Sequence, residues 1–110
     1  MNRLIYTLKE IEQKISPIAQ KYDVPTMYIF GSYARGEATD KSDVDLLFQR
    51  KGSTVRGWVI GAFYEDLHKS LGKNLDLVTI ETLEQETTKS RTPWFVNNLL
   101  KERRLIYAKQ

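Results

Sequence analysis

The chain has 110 residues, 41% of them hydrophobic and 28% charged, and no cysteine. That composition predicts a single globular domain over residues 1–110, and excludes disorder, a disulfide framework, thiolate metal ligation and a cysteine nucleophile. The formal charge of +3 favours phosphate-rich ligands but is too small to indicate direct nucleic-acid binding. The longest apolar stretch, Trp58 to Tyr64, falls far short of the about 20 residues of a membrane-spanning helix. Charges scattered from Arg3 to Lys14 lack the layout of a signal peptide, so a cytoplasmic chain without membrane contact is expected.

Thr7 and Glu10 form a capping box, in which a threonine oxygen and a glutamate carboxylate satisfy free amides at a helix start. From Leu8, apolar residues recur at three- and four-residue steps through Ile11, Ile15, Ile18, Ala19 and Tyr22, the stripe of a helix lying on a sheet. Pro17 either kinks this helix or, with Ser16 as cap, restarts a second one. Thr26 to Phe30 reads as a first strand, Val44 to Gln49 as a second, buried one, and Leu75 to Ile80 as a third. Between the second and third, Val55, Val59, Phe63, Leu67 and Leu71 give a helical stripe closed by Gly72. Thr82 to Arg91 is polar and without a clear period. Thr92 and Pro93 look like the cap and first residue of a last helix carrying Phe95, Val96, Leu99 and Leu100, and Leu105 to Tyr107 suits an edge strand. The sum is an α/β fold, a small mixed β-sheet packed against helices, with a parallel right-handed crossover between strands two and three.

Three features converge in the middle of the chain. Gly31-Ser32 ends the first strand, Asp43-Val44-Asp45 opens the second, and Asp76 lies in the third. Residues two apart in a strand face the same way, so the Asp43 and Asp45 carboxylates repel unless a cation lies between them. Mg²⁺ suits, because it takes carboxylate and phosphate oxygens and keeps several waters. Asp76, flanked by Leu75 and Leu77, is expected inside an apolar strand, where an unpaired carboxylate is costly. Its alternative partners are a lysine or arginine, or, if the third strand lies beside the second, a three-carboxylate site for two metal ions roughly 4 Å apart. A glycine permits close backbone approach, and a helical turn starting near Tyr33 would aim amides at an anion, with the Ser32 hydroxyl as a further donor. Metal site and phosphate cradle together suggest a nucleoside triphosphate.

Gly31-Ser32-Tyr33-Ala34-Arg35-Gly36 and Ser42-Asp43-Val44-Asp45-Leu46, with ten residues between Ser32 and Asp43, resemble the signature of the minimal nucleotidyltransferases of the DNA polymerase β-like superfamily. The resemblance extends over most of the chain and implies a polymerase β palm-like core, two Mg²⁺ ions and ATP as substrate. By it, Asp43 and Asp45 bind both metals, and Asp76 binds the catalytic metal and helps deprotonate an acceptor hydroxyl. Ser32 holds the β/γ-phosphates, with Gly31, Ser42 and Arg35 completing the nucleotide set. Arg35 could equally be a surface arginine paired with Glu37 or Asp40.

Larger members of that superfamily carry extra domains for the acceptor, so the shortness of the chain implies an acceptor from outside. Chains of this size resemble the antitoxin of two-gene modules whose toxin is a helical HEPN-type ribonuclease, neutralised by transfer of AMP to a tyrosine hydroxyl. The alternatives are a non-catalytic antitoxin acting by binding, and a nucleotidyltransferase for a small hydroxylated molecule at a homodimer interface; homo- and hetero-oligomers both remain open. The last helix, or Trp58 and Trp94, would dock the partner, although burial statistics favour both tryptophans in the core. Lys51-Gly52-Ser53-Thr54 has the wrong order for a Walker A loop, His68 reads as a surface residue on the polar side of its helix, and Lys101, Arg103 and Arg104 complement a helix dipole. Gln49, Arg50 and Lys51 stand where relatives often carry acids, which favours a more acidic partner.

Overall fold

The computed structural model describes residues 5–89 and 93–109. The capping box forms as expected: Glu10 N–H donates to Thr7 Oγ1 at 3.1 Å and Thr7 N–H to Glu10 Oε1 at 2.8 Å, opening helix α1 (Leu8–Lys21). Pro17 does not split it. The helix runs through as one element, with Pro17 on the exposed side and Ser16 Oγ donating back to Glu12 O at 2.6 Å. The missing proline amide is tolerated because the opposite face is anchored by Ile11, Ile15 and Ala19, all fully buried.

Strand β1 (Thr26–Phe30) runs into a short helix α2 (Gly31–Arg35), followed by β2 (Val44–Phe48), helix α3 (Val59–Leu71) and β3 (Leu75–Thr79). Helix α2 starts at Gly31, two residues before the turn expected at Tyr33. Val55 is buried but precedes α3, so the helical stripe is four residues shorter than its apolar period. Gly72 ends α3 at φ 66°, the left-handed cap its sequence position suggested. Helix α4 (Ile80–Lys89) then occupies most of the polar segment that had no clear period. Its start is fixed by Thr79 Oγ1, which accepts the Thr82 N–H at 3.0 Å. Helix α5 (Pro93–Glu102) and strand β4 (Arg104–Ala108) complete the chain; the Thr92 cap and the Trp94 side chain lie outside the described residues.

The sheet order is β3-β2-β1-β4, with β2 and β3 parallel and the two other pairings antiparallel. This is the mixed sheet the sequence implied, and α3 is the crossover between its parallel strands. Strand alternation divides the sheet into two faces. Met27, Ile29, Val44, Leu46, Phe48 and Ile106 pack with the stripes of α1 and α3 into the larger core. Phe30 and Leu47, from alternate positions, form a smaller core with Leu83 of α4 and Leu99 of α5. Asp45 and Asp76 share the parity of Leu47 and Val78, which places them on this second face, at its outer end.

Polar ties hold α1 to α3. Asp66 accepts from Lys21 Nζ at 2.9 Å and Tyr22 Oη at 2.7 Å, and those hydrogen bonds hold its carboxyl below the usual range. His68 is not a free surface group: it is partly buried, with Nδ1 2.9 Å from Lys73 O across the α3–β3 turn. Trp58 overturns the expectation of burial; it is 86% exposed at the start of α3, where its indole has no core to enter. No described helix is long and apolar enough to cross a membrane.

Phe63 is fully buried and meets Tyr22 edge-on at 5.2 Å and Phe48 at 5.1 Å between centroids. Phe63→Ala should therefore cost about 3–5 kcal/mol, read as a lowered urea midpoint with an unchanged denaturant slope.

Candidate active site

The antiparallel pairing of β1 with β2 sets Phe30 opposite Asp45, and the parallel pairing of β2 with β3 sets Asp45 beside Asp76. The Gly-Ser turn and the two acids thus meet at one end of the sheet, without any long-range loop being needed to gather them. Gly31, at φ 72°, swings the chain from β1 into α2 in a conformation that side chains rarely adopt. A Cβ at Gly31 would overlap Asp45 Oδ2 and lie 3.0 Å from its Cγ. The glycine is thus required twice, by its backbone angle and by the carboxylate lying against it.

Asp43 precedes β2 and is exposed, Asp45 is half-buried within the strand, and Asp76 is exposed on the edge strand β3. The exposure of Asp76 corrects the expectation that its apolar neighbours enclose it: Leu75 and Leu77 turn to the larger core while Asp76 faces solvent. No ion pair to Asp76 occurs among the described residues. Burial and then the charges of Asp76 and Asp43 push the Asp45 carboxyl up to about 6, against a smaller opposing pull from Arg35. The three acids thus share one electrostatic site with an excess of negative charge. As the side chains stand, no group of three or more histidine, cysteine, aspartate or glutamate residues among the described residues could hold a metal ion. The donor chemistry, three carboxylates in one negative field, fits a hard divalent cation that keeps part of its water shell.

Ser32 is half-buried at the start of α2, and its carbonyl accepts the Glu37 N–H at 2.9 Å. Ser42 is engaged in the turn before β2, where Oγ accepts the Thr39 N–H at 2.8 Å. Arg35 is ion-paired at 2.9 Å with Glu37 and at 3.2 Å with Glu102, of which only Glu37 was a candidate from sequence. Glu102, the last residue of α5, was not singled out at all, yet its Oε1 also accepts the Gly31 N–H at 3.2 Å. A signal existed: a glutamate at a helix C-terminus, between Lys101 and Arg103, opposes the helix dipole and needs another reason to be there. Beneath the turn, Tyr33 is buried and its hydroxyl has no partner among the described residues.

Two substitutions test this geometry. Gly31→Ala should cost about 1–3 kcal/mol through backbone strain alone, with further loss from displacing Asp45, seen in thermal melts. For Asp45, the folded protein keeps the proton up to about pH 6, whereas the unfolded chain releases it near pH 4. In that window the native state binds more protons, so the Asp45 contribution to stability falls as pH rises from about 4 to about 6. Asp45→Asn should consequently match the wild-type melting temperature below about pH 4 and exceed it above about pH 6 in metal-free buffer. A constant offset across that range would contradict the crowding of these acids.

The Polymerase beta nucleotidyltransferase family matches residues 13–110. A Methanocaldococcus jannaschii chain assigned to the protein adenylyltransferases is 38% identical over 77 residues, covering 69% of this chain and 81% of its own length. The protein adenylyltransferase MntA of Thermococcus cleftensis is 33% identical over 90 residues, covering 76% and 88% respectively. Among solved structures, the fold resembles a chain from the crystal structure of a toxin-antitoxin with AMP-PNP, at TM-score 0.64 and 20% identity over 90% of this chain and 74% of that one. A family match running to the final residue, backed by relatives above 30% identity over more than two thirds of the sequence, makes this protein a member of the polymerase β-type nucleotidyltransferases, in the minimal branch of the protein adenylyltransferases.

Proposed function

We propose that residues 1–110 form one nucleotidyltransferase domain that transfers AMP from ATP to a hydroxyl of a protein partner, a tyrosine of a HEPN-type toxin, and so acts as its antitoxin. The observation that carries the reading is the register of β1, β2 and β3, which sets Asp45 beside Asp76 and against Gly31. The names of the relatives support protein as the acceptor class.

In this reading Asp43, Asp45 and Asp76 would hold two Mg²⁺ ions, which would neutralise the triphosphate and sharpen the acceptor as a nucleophile. Gly31, Ser32, Ser42 and Arg35 orient the phosphates, the glycine by close approach and the serines by their hydroxyls. The acceptor oxygen forms a bond to the α-phosphorus while the bond to pyrophosphate breaks, and the acceptor proton passes to Asp76. The exposure of Asp76 on the edge strand suits that task, because an acceptor arriving from solvent reaches it without any rearrangement of the sheet.

Incubation with α-labelled ATP, Mg²⁺ and the toxin encoded beside the gene should place label on a toxin tyrosine. The Asp43→Asn, Asp45→Asn double variant should reduce the transfer at least about 100-fold while still binding the toxin. Neutralisation by that variant equal to wild type would replace transfer with occlusion. Label on a small hydroxylated compound in the absence of any protein would replace the acceptor class.

A further inference from the structure

Glu102 is drawn to the Gly-Ser turn by the sheet itself. In the β1–β4 pairing Ile29 lies opposite Arg104, so the end of α5, two residues earlier, falls beside the end of β1. There Oε1 of Glu102 receives two donors, the Gly31 N–H at 3.2 Å and Arg35 Nη1 at 3.2 Å, and Oε2 lies 3.4 Å from the same Nη1. The Glu102 side chain is 29% exposed and its bond from the Gly31 N–H is part-buried, while the pair with Arg35 lies at the surface. Around it opens a cleft of about 530 Å³ lined by Ala34, Arg35, Lys101, Glu102, Arg103 and Arg104, in which Glu102 is the one acid among four bases. On the opposite side of its own anchor, Gly31 lies against the Asp45 carboxylate.

We infer that Glu102 is a positioning residue of the nucleotide site. By fixing the Gly31 amide it sets the distance between the turn and Asp45. By pairing with one arm of Arg35, while Glu37 holds Nε at 2.9 Å, it sets the plane of the guanidinium. It acts through these two groups and takes no part in bond making. Loss of the carboxylate frees the turn and the arginine together, so the cost falls on nucleotide binding and not on the chemical step. This inference rests on the nucleotidyltransferase reading for its consequence, but its structural half is measurable without nucleotide.

Three proteins decide it: wild type, Glu102→Gln, whose amide oxygen still accepts from Gly31 but carries no charge, and Glu102→Ala. Without nucleotide, amide hydrogen exchange at Gly31 should accelerate at least about tenfold in Glu102→Ala and much less in Glu102→Gln. With ATP and acceptor, Glu102→Ala should raise KM for ATP about tenfold with kcat within about threefold, and Glu102→Gln should recover most of that loss. A purely structural role would lower the melting temperature and the active fraction, hence kcat, at unchanged KM, and would overturn the inference. So would unchanged exchange at Gly31, or a lower KM in Glu102→Ala, which would make Glu102 a competitor of the triphosphate. If Glu102→Ala does not fold, Glu102→Gln decides alone: a KM rise of about two- to threefold at constant kcat supports positioning, and none overturns it. Accelerated exchange at Gly31 in a protein that never binds a non-hydrolysable ATP analogue would overturn the nucleotidyltransferase reading and the inference with it. Unchanged exchange alongside normal ATP binding by wild type would overturn the inference alone.

Discussion

The approach of the Gly31 backbone to the Asp45 carboxylate is the constraint on which the site depends. Two backbones paired antiparallel at Phe30 and Asp45 bring the end of one strand beside the start of the next. Only a residue without Cβ leaves room there for a carboxylate. The same residue must have positive φ to leave the strand and enter α2. With both demands met at one position, the turn and the acid are fixed by the same local geometry. They need no partner chain to come together.

Division of labour between the two sheet faces explains why so small a protein can carry a charged site. The larger core uses one parity of β1, β2 and β3 and takes the stripes of α1 and α3, including Ile11, Ile15, Phe63 and Leu67 at zero exposure. Each such side chain contributes about 1.5–3 kcal/mol on burial. Among the described side chains, the second face buries a cluster around Phe30, Leu47, Leu83 and Leu99, and its outer end is left to Asp45 and Asp76. Helices α4 and α5 cover this face without closing it over the acids. The acids thus sit on the face opposite the larger core, at its outer end.

What the sequence revealed follows from whether a feature is local. The capping box, three of the strands to within a residue and the Gly72 stop depend on neighbours in the chain, and each is where its residues suggested. Gly31, Asp43, Asp45 and Asp76 could be grouped because their spacing and strand positions are local properties, and the register then supplied the meeting. Helix α4 was hidden because its start rests on Thr79 and its only buried described residue is Leu83, too little to impose a period. The solvent exposure of Asp76 was hidden because two apolar neighbours indicate which face they occupy, not that the intervening position is covered. Trp58 escaped because composition alone places tryptophan inside, while position at a helix start places it out. Glu102 is the extreme case, separated from Gly31 by 71 residues, so that only the β1–β4 register makes them neighbours.

The electrostatics at Asp45 run against stability. Asp45 is held in a partly desolvated place beside two like charges, and the shift of its carboxyl to about 6 measures that opposition. Glu102 adds a fourth negative group to the field at Asp45, and it is itself balanced by Arg35 and the Gly31 amide. Arg35 in turn is shared between Glu37 and Glu102, and its charge also eases that on Asp45. Among the described residues no polar or charged side chain is buried in the core, so the crowded acids lie outside it. At the end of the sheet where Gly31 permits close approach, a cation reaching the acids would relieve their mutual repulsion, as protonation of Asp45 does below about pH 6.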